Sequence, residues 1–154
     1  MKVWRRFALV GVLLGAVTVH ASETWVGWVS WVMDGDTLVL VREGHQEPIK
    51  LRIDGIDAPE TCQPGGPEAR DMMIRLALRK QVQVVQLSHD SYGRQIGRLS
   101  VDGRDLGAEM VRSGMAWAYR FSSGKGPYAT LQRQAQKHKR GLFAANEDAM
   151  SPHI

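Results

Sequence analysis

Short stretches of alternating apolar and polar residues recur along the chain, and they predict β-strands. Aromatic and β-branched residues are concentrated in the first of these stretches, as is typical of strands. A second stretch follows after a short Asp-Gly-Asp turn. We predict five strands, at residues 24–33, 37–41, 48–54, 82–87 and 96–101. In the third, Arg52 lies on the polar face, opposite the apolar face formed by Leu51 and Ile53.

Three segments carry apolar residues at helical spacing. The first helix is predicted to begin at Pro67, since proline suits the first helical position. The second runs from an Asp105 cap to Ser113 and stops at Gly114, and the third covers residues 128–139. Five short strands with helices placed late in the chain predict an α+β, mainly β fold, namely a five-stranded OB-type barrel with three helices.

The first 21 residues have the composition of an export signal. Three basic residues precede an almost wholly apolar run at 7–19, and Val19 and Ala21 supply the small residues that signal peptidase reads. We predict cleavage after Ala21 and a secreted or periplasmic product. An uncleaved membrane anchor is the alternative, but the run is shorter than the roughly 20 residues that a spanning helix needs. We expect one domain at 22–145 and an irregular tail at 146–154.

Removing this leader weakens the argument from charge. The sequence has 20 Lys and Arg against 16 Asp and Glu, and three of the basic residues lie in the leader, which leaves 17 against 16. Net charge by itself therefore does not indicate a polyanion as ligand. Cys62 is the only cysteine, and we interpret it as an ordinary small residue, with an unpaired thiol or an intermolecular partner as the alternatives. One cysteine and five scattered histidines do not form a zinc site.

Unusual polar residues are concentrated in three segments. The first is Asp34-Gly-Asp-Thr37, where a plain hairpin turn is the alternative and the spacing excludes an EF-hand. In the second, residues 52–61, an arginine is followed by three acids where a strand ends at a proline, and such carboxylates and freed carbonyls suit Ca²⁺. The third, Asp90-Ser-Tyr-Gly-Arg94, is a turn that presents an arginine beside a tyrosine.

Together the three segments resemble the staphylococcal nuclease family. The resemblance runs from about Val26 to Leu142 and includes Gly-Pro-Glu-Ala at 66–69 and Arg-Gly-Leu at 140–142. It implies a Ca²⁺-dependent endonuclease that hydrolyses DNA and RNA with little sequence preference and leaves 3′-phosphate and 5′-hydroxyl ends. We expect a monomer with no stable protein partner and no membrane association after signal cleavage.

The resemblance also implies a metal site for one Ca²⁺. Its ligands would be the carboxylates of Asp36 and Asp57 and the backbone carbonyl of Ala58, with water completing the shell. Asp34 would support the site without touching the ion. Ala58 replaces a threonine of the family's best-known member, a change without consequence if only the carbonyl coordinates.

Five further residues match the catalytic and substrate-binding positions of the family. Glu60 would act as general base, Arg52 and Arg94 would grip the scissile phosphate, and Tyr92 and Tyr119 would lie against the nucleotide. This set suits the reaction, because water attack adds negative charge to an already anionic phosphodiester. Arginine rarely gives up its proton, so we assign Arg94 to charge stabilisation rather than proton donation.

Two other classes of protein remain as alternatives. A non-catalytic OB-type binding module would be expected to lack at least one of the acids or arginines, whereas this sequence retains all of them. A secreted structural Ca²⁺-binding protein would explain the acids and leave both arginines without a purpose. Two departures affect substrate contacts: the loop at 61–66 is shorter than in the best-known member, and Ser91 replaces a lysine.

Overall fold

The computed structural model describes residues 22–120 and 126–144, so the predicted signal peptide and the predicted tail at 146–154 lie outside it. In this part of the chain the strands are β1 (Glu23–Val32), β2 (Thr37–Arg42), β3 (Pro48–Ile53), β4 (Ile56–Asp57), β5 (Gln81–His89), β6 (Gln95–Val101), β7 (Arg104–Asp105) and β8 (Trp117–Ala118). The helices are α1 (Gly66–Ala77), α2 (Leu106–Arg112) and α3 (Ala129–Lys137), followed by a 3₁₀ turn at Gly141–Phe143.

The five long strands form a closed barrel, which confirms the predicted fold. Strand β1 pairs with both β2 and β5, while β3 and β6 extend the sheet on either side, all through antiparallel pairing. Parallel pairing between β3 and β6 then closes the circle, with Arg52 opposite Ile96. This closure brings the end of β3 beside the start of β6.

Strand β1 departs from simple alternation at a bulge between Val29 and Trp31. A regular strand with Val29 inward would also direct Trp31 inward, because side chains alternate with a period of two. The bulge instead leaves Trp31 56% exposed and turns Val32 into the core. The apolar interior therefore continues along β1, while two tryptophans, Trp28 and Trp31, remain on the outside.

The helices cover the barrel and begin largely where the sequence predicted. Helix α1 buries Ala69, Met73 and Ala77 in the main core. Asp105 caps α2 by accepting a hydrogen bond from the Ala108 amide, as predicted. Helix α3 is shorter than the predicted 128–139, because only Ala129–Lys137 is helical.

Two short strands that the sequence pattern did not predict hold the chain beyond β3. Strand β4 pairs with β8 so that Asp57 lies opposite Trp117. Strand β8 thus holds the backbone of Asp57 in place. Within 22–120 and 126–144, no helix is both long and apolar enough to cross a membrane.

Candidate active site

The turn between β1 and β2 is organised by the side chain of Asp34. Its Oδ1 accepts hydrogen bonds from the backbone amides of Asp36, at 2.9 Å, and Thr37, at 2.7 Å. Gly35 packs so closely that an added Cβ would lie 2.7 Å from the Cβ of Ala58. Asp34 and Gly35 therefore fix the turn against the end of β4 and direct the Asp36 carboxylate inward.

Asp36 is a buried carboxylate with a full set of hydrogen-bond donors, and only 1% of the residue is exposed. Its Oδ1 accepts from the Thr37 hydroxyl and from Arg52 Nη1, both at 2.8 Å, and its Oδ2 accepts from the Ala58 amide at 2.9 Å. Burial raises the pKa of Asp36 to about 7, and Arg52 opposes that rise. An ionised Asp36 therefore benefits from any further positive charge at this position.

Arg52 joins the two buried aspartates. While Nη1 contacts Asp36, Nη2 donates to Asp57 Oδ1 at 2.8 Å, and Asp57 is 5% exposed. Burial lowers the pKa of Arg52, but the two carboxylates raise it by more, so the guanidinium stays charged. A guanidinium has five N–H donors, so three remain for other acceptors.

The residues around Asp36 and Asp57 fit a hard divalent cation. Both side chains offer carboxylate oxygens, and the Ala58 carbonyl receives no hydrogen bond within the described part of the chain. No group of three His, Cys, Asp or Glu side chains with metal-binding geometry occurs in that part. A cation here would therefore keep several water ligands, as Ca²⁺ and Mg²⁺ tolerate.

Glu60 lies on an exposed loop whose backbone is pinned. Its amide donates to Gln63 Oε1 at 2.8 Å, and its carbonyl accepts from the Gln63 amide at 2.8 Å. Its carboxylate has no partner among the described residues. Glycine is required at position 66, because a Cβ there would lie 1.9 Å from the Glu60 carbonyl oxygen. The start of α1 thus sets the position of Glu60.

Replacing Gly66 with alanine is expected to displace the Glu60 loop and lower any catalytic activity of this site about 10-fold or more, since small misplacements in a site are costly. The strain should also reduce the free energy of unfolding by about 1–3 kcal/mol. Gly44→Ala is the control, because Gly44 has a positive φ of 78° and open space around it, far along the chain from the site. Equal activity loss in both variants would show that general destabilisation, not the position of Glu60, is responsible.

Arg94 is held by the turn that precedes β6. Its Nε donates to Asp90 Oδ2 at 2.6 Å, and the backbone amides of Tyr92 and Arg94 both donate to Asp90 Oδ1 at 2.9 Å. Desolvation raises the pKa of Asp90, but these hydrogen bonds lower it by more, so the pKa is lowered overall. Asp90 thus fixes the turn and the guanidinium together and leaves both Nη groups of Arg94 available.

The parallel pairing of β3 with β6 places the two arginines at one end of the barrel. Ile96 lies opposite Arg52, so the backbone of Arg94 is one strand across and two residues back. Strand spacings put the two Cα atoms about 8 Å apart. The structure thus directly joins Arg52, Asp36 and Asp57, and it places Arg94 in the turn just before the neighbouring strand β6.

The two predicted substrate tyrosines are both exposed. Tyr92 is 84% exposed, with the Arg94 guanidinium 5.6 Å from its ring centre. Tyr119 is 55% exposed, and its amide donates to the Gly55 carbonyl at 2.9 Å, next to β4. The Tyr92 ring thus lies beside Arg94, whereas the ring of Tyr119 lies against the Arg120 guanidinium, whose Cζ is 5.5 Å from the ring centre.

Sequence reasoning did not assign roles to Thr37, Gly66 and Asp90. All three belong to motifs that the sequence analysis identified, but the sequence did not indicate what each residue does. The hydroxyl of Thr37 contacts the Asp36 carboxylate, and Asp90 holds Arg94. Cys62 is exposed.

Comparisons with known proteins agree with this arrangement. The family model described as staphylococcal nuclease homologue matches residues 50–145. An uncharacterized endonuclease of Escherichia coli O157:H7 is 36% identical over 129 residues, which cover 83% of this chain and 82% of that protein. A micrococcal nuclease of Shigella flexneri is 35% identical over 150 residues, covering 89% and 84%. With the closed barrel and its paired aspartates, these matches show that the chain belongs to the staphylococcal nuclease family.

Proposed function

We propose that this protein is an exported, Ca²⁺-dependent endonuclease that hydrolyses DNA and RNA with little sequence preference. The observation that carries the proposal is the Arg52 guanidinium bound to both buried aspartates, Asp36 and Asp57. Family membership supports hydrolysis of phosphodiester bonds, and the names of the two bacterial relatives are those of nucleases. The products are expected to carry 3′-phosphate and 5′-hydroxyl ends.

Positive charge at the barrel end suits the transition state of phosphodiester hydrolysis. Attack by water leaves extra negative charge on the oxygens around phosphorus, and fixed cations stabilise that charge. Within the described residues, Arg52 keeps three N–H groups without a hydrogen bond and Arg94 keeps both Nη groups, so each guanidinium has donors for phosphate oxygens. A divalent cation held by Asp36, Asp57 and the Ala58 carbonyl would supply Lewis-acid charge and lower the pKa of bound water.

Glu60 is the acid in this region whose carboxylate remains free. Asp36 and Asp57 are both bound by Arg52, whereas the Glu60 side chain is exposed and its carboxylate forms no hydrogen bond or ion pair within the described residues. A carboxylate acts as general base when it lies within hydrogen-bond reach of the attacking water. We therefore assign to Glu60 the removal of a proton from that water.

Because these contacts centre on phosphate, the enzyme is expected to read little base sequence. Tyr92 and Tyr119 offer ring faces to a nucleotide without selecting among bases. Export rests on residues 1–21, which lie outside the described part of the chain. N-terminal sequencing of the protein purified from culture medium and periplasm tests that step, with Ser22 expected as the first residue.

Replacing Arg94 with alanine is expected to slow cleavage about 10²-fold, the effect of removing one donor that stabilises developing charge. Asp90→Asn should lose part of that activity as well, since Asp90 holds the Arg94 side chain. Initial rates on single-stranded DNA at saturating Ca²⁺ provide the measurement, and Arg133→Ala on α3 is the exposed arginine control. Unchanged turnover in Arg94→Ala would remove Arg94 from the mechanism.

A non-catalytic nucleic-acid-binding module is the second candidate for this barrel. Such a module has no need for a buried pair of aspartates around a guanidinium, because buried charges are costly to keep. Incubating purified protein with single- and double-stranded DNA and RNA separates the two candidates. Binding without any cleavage at saturating Ca²⁺ would favour the module.

A further inference from the structure

We propose that the outer face of β1 is a second binding surface for single-stranded nucleic acid, separate from the aspartate site. We call it the tryptophan surface and define it by Trp28, Trp31, Arg70, Arg79 and Lys80. The proposal deepens the proposed function and rests on it for the identity of the polyanion.

The two tryptophans offer open ring faces on a fixed strand. Trp28 is 50% exposed and Trp31 is 56% exposed, although both belong to the central strand of the barrel sheet. Leaving two large apolar rings in water is unfavourable, so exposed rings at fixed positions point to a ligand. The bulge in β1 is what turns Trp31 outward, and bulges commonly redirect a side chain for use.

Three basic residues, Arg70, Arg79 and Lys80, lie near these tryptophans. The Arg70 guanidinium stacks on Trp31, with its Cζ 5.4 Å from the ring centre. The Arg79 amide donates to the Val29 carbonyl at 2.9 Å, and the Val29 amide donates to the Lys80 carbonyl at 3.1 Å. The turn at 79–80 is thereby fastened to β1 between the two tryptophans.

These cations are free of carboxylate partners. Arg70, Arg79 and Lys80 form no ion pair within residues 22–120 and 126–144, although five other arginines there do. Arg70 Nε donates to the Val32 carbonyl and Lys80 Nζ to the Arg75 carbonyl, so both side chains are held in place. Fixed, unpaired cations beside aromatic rings complement a phosphate backbone that carries stacked bases.

A cleft beside Trp28 gives this surface depth. Its volume is about 440 Å³, and its lining includes Trp28, Arg79, Lys80, Gln81, Ser100 and Asp102. Two cations therefore outnumber the one acid in it. Gln81 and Ser100 add neutral groups that can donate or accept hydrogen bonds. A cleft with one open ring fits an unpaired base, since bases in a duplex do not expose their faces.

Strand β1 also connects this surface to the aspartate site. Trp31 precedes Asp34 by three residues, a span of about 10 Å along a strand. A single strand lying on the tryptophan surface would therefore extend toward the turn that carries Asp36. The surface would hold a long substrate during cleavage and favour single-stranded over double-stranded nucleic acid.

Binding is tested without turnover in a Glu60→Ala background, with a fluorescently labelled oligodeoxythymidylate, anisotropy as the readout, and a gel to verify that the oligonucleotide stays intact. Trp28→Ala and Trp31→Ala should each weaken binding roughly 10-fold, the typical loss for one stacked base. Leu87→Ala is the matched control, because Leu87 is a similarly exposed apolar residue at 44% on β5. Unchanged affinity in the double tryptophan variant overturns the proposal.

The cations are tested by the salt dependence of the same affinity. Arg79→Gln with Lys80→Gln should reduce the slope of log affinity against log salt by about 1.4, or about 0.7 for each lost phosphate contact. Arg133→Gln should leave the slope unchanged. A slope in the double variant equal to that of the parent protein contradicts the assigned phosphate contacts.

Two further measurements separate this proposal from its alternatives. If the tryptophan variants lose self-association in sedimentation, or lose binding to anionic vesicles, while oligonucleotide affinity is unchanged, the face serves another partner and the proposal fails.

Cleavage of a dinucleotide, which is too short to reach the surface, should be unaffected by Trp28→Ala. Absence of dinucleotide cleavage by the wild-type protein would count against the proposed nuclease function, whereas the binding result stands by itself.

Discussion

Asp36→Asn is expected to lower DNA cleavage by at least about 10³-fold, because the site would lose a carboxylate that binds Arg52 and that would hold the proposed cation. Asparagine keeps one oxygen for the Thr37 hydroxyl and Arg52 Nη1. Its amide group cannot accept from the Ala58 amide, which now donates to Oδ2. Leaving that buried donor unpaired should cost about 1–3 kcal/mol of stability, so the variant should still fold.

The control for this variant is Asp71→Asn, which removes a carboxylate from an exposed position on α1. Initial rates across a Ca²⁺ titration, with urea unfolding alongside, separate loss of the cation from loss of the fold. If Asp36→Asn cleaved at the wild-type rate while remaining folded, the paired aspartates would not form the metal site.

Glu60→Gln is expected to slow cleavage by about 10²–10⁴-fold, the range for removing a positioned general base. The substitution keeps the shape of the side chain and removes only its ability to take a proton. The Glu60 carboxylate forms no hydrogen bond or ion pair in the described structure, so the free energy of unfolding should change by less than about 0.5 kcal/mol.

The rate with saturating substrate and Ca²⁺, measured for Glu60→Gln beside Glu68→Gln, provides the test. Glu68 is an exposed acid in the first turn of α1 and serves as the matched control. Wild-type turnover in Glu60→Gln would exclude Glu60 as the base. An equal loss in both variants would indicate a general effect of removing negative charge near the loop.

Much of the barrel was predictable because its strands follow the inward and outward alternation of a closed sheet. In β3, Leu51 and Ile53 are buried and Arg52 lies between them on the polar face, as the pattern required. The alternation failed at Trp31, since a bulge depends on the register with β2 and leaves no local mark in the sequence. The short strands β4 and β8 were missed for a similar reason, because each is defined by its partner.

The candidate site was predictable as a set of residues and not as an arrangement. The order of the motifs identified Asp36, Arg52 and Asp57, although Asp36 and Asp57 lie more than fifteen residues apart in the sequence. That one guanidinium contacts both carboxylates follows from the pairing of β2 with β3, where Thr37 lies opposite Arg52. The support from Gly66 to the Glu60 loop is likewise a tertiary contact that residue type alone does not specify.

We propose that Asp36 and Asp57 would hold a divalent cation that supplies Lewis-acid charge. Glu60 would take a proton from the attacking water, and Arg52 and Arg94 would stabilise the charge on the phosphate. Cleavage of single-stranded DNA by the purified protein, with Ca²⁺ and with excess chelator, tests this mechanism most directly when the ends of the products are analysed. We predict rapid cleavage to 5′-hydroxyl and 3′-phosphate ends with Ca²⁺ and none with chelator. Cleavage at the same rate in chelator, with any type of end, would contradict it.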